Sequence, residues 1–111
     1  MRSATALLIL VVAAILEAGG DALVRSGLHA SARGARLLFW LAGAVVLFTY
    51  GYVVNAPAWD FGRLLGTYVV FFFVVAQVIA WVVFDQKPDR FVAIGGVLIV
   101  LGGLIVSAGA R

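Results

Sequence analysis

The sequence predicts an all-α integral membrane protein, a bundle of four transmembrane helices, and three observations carry that prediction. Hydrophobic residues make up 65% of the 111-residue chain and charged residues only 12%, against about half and a quarter in soluble domains. Four apolar runs occupy 4–24, 37–54, 64–84 and 91–109, each near the roughly 20 residues a helix needs to cross the hydrocarbon core. Between them lie RSGLHASARGAR at 25–36, NAPAWDFGR at 55–63 and DQKPDR at 85–90, where charges, glycine and proline collect as they do in turns. The last is so short that runs three and four must form a tight antiparallel hairpin. One domain over 1–111 accounts for the whole chain.

Composition also excludes much. With no cysteine, there is no disulfide, thiolate nucleophile or cysteine-ligated metal. A single histidine, His29, cannot build a metal site. The sequence contains no nucleotide loop and no nucleophile-base pair, so neither an enzyme activity nor a cofactor is expected. The net charge of +3 is spread between apolar runs, which points to lipid headgroups and away from nucleic acid. By side, Arg2, Arg63 and Arg111 oppose Arg25, Arg33, Arg36, Lys87 and Arg90. A bias that small puts the termini outward only weakly and leaves insertion in both orientations open.

The first run holds the sequence's main anomaly, two carboxylates in ILEAGGDALVRSG. With a rise of about 1.5 Å per residue, Glu17 lies about 4.5 Å from the centre of the run and Asp21 about 10 Å. A charge near the bilayer centre costs on the order of 2.5–3.5 kcal/mol, so a deep acid is a functional candidate facing protein or a water-filled cavity. Asp21 is cheaper to place and has Arg25 at i+4 for an interfacial ion pair. Glu17, Asp21 and Arg25 share one stripe of the helix and point toward the same neighbour. Arg2, the apolar stretch and the small residues at 18–20 also fit the outline of a cleavable leader. The apolar run resumes after Asp21, however, and is long enough to span.

In the second run the aromatic residues fall near the ends. Trp40, Tyr50 and Tyr52, like Trp59 and Trp81 elsewhere, read as interfacial anchors. The third run carries Gln77, three residues past its midpoint as Glu17 is past its own, so the two are expected at one depth. Gln77 would either hydrogen-bond in the cavity of Glu17 or make a separate contact between helices. Phe71, Phe72 and Phe73 cover most of the helix circumference, which suits packing better than substrate stacking. In the fourth run the pairs Gly95, Gly96 and Gly102, Gly103 recur after seven residues. That spacing defines one close-packing face, expected as a dimer contact.

The deep Glu17, Gly20 three residues on, Arg25 eight residues on and the hairpin FDQKPDRFVAIGGVLIVLGGLIV together resemble the small multidrug resistance superfamily. The segment GRLLGTY, preceded by Pro57, is most similar to the YnfA-like branch. The resemblance covers nearly the whole chain. It implies an antiparallel, dual-topology homodimer in a bacterial inner membrane, in which Glu17 binds either protons or a small cationic compound and so couples efflux to proton entry. Tyr68 would be the cavity aromatic of the third helix. The chain departs from that pattern in three places. VVFFFVV at 69–75 replaces a flexible, glycine-rich stretch, Leu65 stands where a further aromatic is usual, and Asp21 where a small or neutral residue is usual. The stiff third run favours an alternative, a non-transporting accessory or scaffolding subunit of a larger membrane complex.

Overall fold

The structure, a computed structural model, describes residues 3–109. Four helices follow in order, α1 (Ser3–Leu28), α2 (Arg33–Val54), α3 (Phe61–Phe84) and α4 (Arg90–Ala108). All four are long and apolar enough to cross a membrane. Three helices start one to four residues before the apolar runs that mark them, because Arg33, Arg36, Arg63 and Arg90 sit in their first turns. Hydropathy detects the hydrocarbon layer, whereas the helix continues into the headgroups, where a long cationic side chain is cheap to place.

The molecule measures 48 × 34 × 18 Å. A helix with its side chains is about 10–12 Å across, so the slab is less than two helices thick. Within it α1 packs against both α2 and α3, whereas α4 leans mainly on α3. The face of α1 turned inward explains its central place. Ala6, Leu10, Ala13, Ala14 and Ala18 are all buried, and four of the five are alanine, which lets neighbouring backbones approach closely without hydrophobic bulk to drive them together.

Glycines set the register of α1 on α2. A Cβ on Gly20 would lie 2.7 Å from the Leu47 side chain, one on Gly27 would lie 2.6 Å from the Trp40 ring, and one on Gly43 would lie 2.8 Å from Val24. These contacts fix an antiparallel seam in which Gly27 meets Trp40, Val24 meets Gly43 and Gly20 meets Leu47. Continued by one more step, the same register sets Glu17 opposite Tyr50.

The α3–α4 hairpin is closed by its own turn chemistry. Asp85 adopts a left-handed conformation (φ 55°, ψ 41°) after the last turn of α3, and the Asp85 and Gln86 N–H groups both donate to the Ala80 carbonyl, the latter at 2.9 Å, so the chain folds back over the end of the helix and satisfies one of its orphan carbonyls. Asp89 then starts α4, its side chain accepting from the Val92 N–H at 2.9 Å. Asp89→Ala is expected to lower stability by about 1 kcal/mol through loss of that N-cap, read as a drop in the thermal midpoint of the detergent-solubilised protein.

The glycine pairs of α4 do not act together. Gly96 and Gly103 face α3, where a Cβ on Gly96 would come within 2.6 Å of the Phe73 ring and one on Gly103 would collide with Val70. Gly95 and Gly102 have nothing within 4 Å of where a Cβ would stand. The expectation of one shared dimer face is therefore corrected. Adjacent residues on a helix differ by about 100° in direction, so half of each pair serves the intramolecular seam and the other half lies open.

Candidate functional site

Glu17 projects from the alanine-rich face of α1, half-buried, at the point where α2 and α3 converge. Tyr68 of α3 is 4% exposed. Its hydroxyl donates to Glu17 Oε1 at 2.7 Å, with the Ala13 carbonyl oxygen at 3.3 Å as the more distant acceptor. A phenol has one proton to donate, so the shorter contact to the carboxylate is the principal bond. The Tyr50 ring lies 5.7 Å from that of Tyr68 and the Phe72 ring 6.2 Å from it, both tilted by about 30°. The aromatic cluster thus draws on two helices and, through the Tyr68 hydroxyl, meets a carboxylate carried by a third.

This grouping can hold a positive charge. A carboxylate supplies the counter-ion, and ring faces attract cations, the more so where water is scarce. It can equally hold a proton, with the Tyr68 hydroxyl as the fixed hydrogen-bonding partner. Tyr68→Phe is expected to cost about 0.5–2 kcal/mol, the range for interhelical hydrogen bonds in membranes, measured as a lower unfolding midpoint. An unchanged midpoint would show that the bond contributes nothing to packing.

Beyond Glu17 toward the turn that joins α1 to α2, a cleft opens between α1 and α3. Small side chains at Ala18, Ala22, Ala76 and Ala80 make the space, and Asp21 and Arg25 line it together with Phe72 and Phe84. The ion pair expected between Asp21 and Arg25 does not form. Among the described residues the sole salt bridge joins Arg63 to Asp60 at 3.6 Å. The Arg25 guanidinium instead lies 5.2 Å above the Phe84 ring, since its long side chain reaches across the cleft to α3, where a desolvated ring face offers a cation–π contact. Asp21 is left exposed at the side of the cleft.

The placement of Gln77 beside Glu17 is also corrected. Gln77 lines a groove between α3 and α4, with Phe73, Val92 and Gly96. Nine residues separate it from Tyr68, or about two and a half turns, so the two side chains leave α3 in opposite directions. The phenylalanine run divides in the same way, with Phe72 beside Tyr68 and Phe73 against Gly96. The site member that sequence reasoning missed is Tyr50, taken for an interfacial anchor. Its position follows from the glycine-defined register of α1 on α2, which no span boundary reveals.

Fold and site together define a multi-pass membrane protein with a carboxylate among aromatic rings inside its helical bundle. The chain belongs to the family described as uncharacterised BCR, YnfA/UPF0060, which it matches over residues 3–111. That is the branch indicated by the Gly62 to Tyr68 segment. A UPF0060 membrane protein of Clostridium perfringens (strain SM101 / Type A) is 30% identical over 113 residues, covering 100% of this chain and 99% of the relative. Another, from Staphylococcus aureus (strain MRSA252), is 30% identical over 104 residues, covering 93% and 94%. No solved structure matches the chain.

Proposed function

We propose that the protein is a proton-coupled exporter of a small, positively charged compound, acting as a homodimer in the bacterial inner membrane. The observation that carries this reading is the Glu17 carboxylate, held at 2.7 Å by the hydroxyl of Tyr68, whose ring packs beside those of Tyr50 and Phe72. One carboxylate stabilises a cation or a proton but not both at once, so loading one expels the other and the two flows become linked. Glu17 remains partly exposed within a single protomer, and a second copy would complete the enclosure. The direct test titrates the purified, weakly buffered protein with a panel of lipophilic and small hydrophilic organic cations while following the pH of the medium. Proton release on binding is expected, and silence across the panel would reject the reading.

A second reading, an accessory subunit without transport of its own, draws on one observation. The helix α3 runs unbroken from Phe61 to Phe84, and the bulky stretch 69–75 stiffens it where an alternating-access helix would need to bend. Isolation in mild detergent separates the two readings, since a stable heteromeric complex without a homodimer fits only the second.

A further inference from the structure

We infer that the start of α2 carries a binding site for the phosphodiester headgroup of an anionic phospholipid. The site stands apart from the Glu17 cluster and does not depend on the transport reading. Ser31, Arg33, Arg36, Leu37 and Trp40 line a cleft at the end of the bundle where α1 turns into α2. Arg33, Arg36, Leu37 and Trp40 recur at intervals of three and four, which puts them on one face of the helix.

Three features point to an anion. Among the described residues, neither arginine has a carboxylate within salt-bridge distance, so two positive charges lie uncompensated side by side. The Arg36 guanidinium is already oriented, donating to the Ala30 carbonyl at 3.0 Å and lying 5.8 Å above the Trp40 ring. The first turn of α2 has no acidic residue and its Ala32 start makes no side-chain cap, so the positive end of the helix adds to the arginines. An oriented guanidinium loses less freedom on binding phosphate, and its fork matches two phosphate oxygens.

A fourth feature points to lipid over free phosphate. The cleft changes character along its length, from Arg33 and Arg36 at the headgroup end to Leu37 and Trp40 one to two turns deeper. Arg33 and Trp40 are separated by roughly 10 Å along the axis, comparable to the step from headgroup to acyl chain. A free phosphate would gain nothing from the apolar half, whereas a phospholipid fills both.

The test compares short-chain phosphatidylglycerol, short-chain phosphatidylcholine and inorganic phosphate as ligands of the full-length, detergent-purified protein, followed by native mass spectrometry. Phosphatidylglycerol is expected to bind more tightly than phosphatidylcholine, with millimolar phosphate failing to displace it. Interfacial basic residues contribute about 1 kcal/mol each, so Arg33→Gln and Arg36→Gln should each weaken phosphatidylglycerol binding about fivefold and the double variant about thirtyfold. Lys87→Gln with Arg90→Gln removes the same charge from the same face outside the cleft and should change binding less than about threefold. Equal losses from the two pairs, equal affinity for both lipids, or no effect of either single replacement would overturn the inference. Displacement by phosphate would make the cleft a free-anion site and overturn the lipid assignment. The exposed single variants keep the test decisive should the double variant fail to fold.

Discussion

Glu17→Gln is expected to reduce proton-driven efflux from proteoliposomes to the rate of protein-free vesicles. Glutamine keeps the size of the side chain and an oxygen that can accept from the Tyr68 hydroxyl, but it holds no charge and exchanges no proton. The bond changes from charge-assisted to neutral, with about half the strength, and a stability change within about 1 kcal/mol is expected. The readout is therefore a split, with transport lost while helix content and unfolding midpoint are nearly kept. Transport at the wild-type rate would rule out Glu17 as the coupling acid. A variant that fails to fold would instead assign the carboxylate a role in packing.

The second large effect concerns neighbouring glycines with opposite tolerance. A methyl group at Gly103 would collide with Val70, whereas one at Gly102 would meet nothing within 4 Å. Gly103→Ala is expected to destabilise by about 1–3 kcal/mol through overpacking, with the loss concentrated in α4 because α3 is its main support. Gly102→Ala is expected to be neutral or to stabilise by up to about 1 kcal/mol, the helix-propensity gain of alanine over glycine. Chemical unfolding of the two variants in mixed micelles checks both, and equal effects would show that α4 does not lie on α3 as described. A Gly102 variant that keeps its stability but alters the oligomeric state would place the open glycines at a contact between copies.

Much of this was legible in the residues, and the misses share a physical cause. Hydropathy located the spans because the bilayer requires long apolar helices, and depth singled out Glu17 because a charge near the centre is expensive. Depth is an axial coordinate, however, and a site also needs an azimuth. Gln77 had the depth of Glu17 but leaves α3 opposite Tyr68, which helical periodicity alone could have shown. Tyr50 required the register between α1 and α2, which Gly20, Gly27 and Gly43 set by close approach. The pairing of Asp21 with Arg25 obeyed the i, i+4 rule, yet a side chain as long as arginine can leave its own helix, and Phe84 offered it a ring face.

The lean of α4 on α3 has a consequence for how such a chain can change. The aromatic and acidic groups of the site, Glu17, Tyr50, Tyr68 and Phe72, all belong to the first three helices. The fourth helix touches that unit along one edge and supplies none of them. Its outward face can therefore be altered without disturbing the surroundings that this chain itself gives the carboxylate.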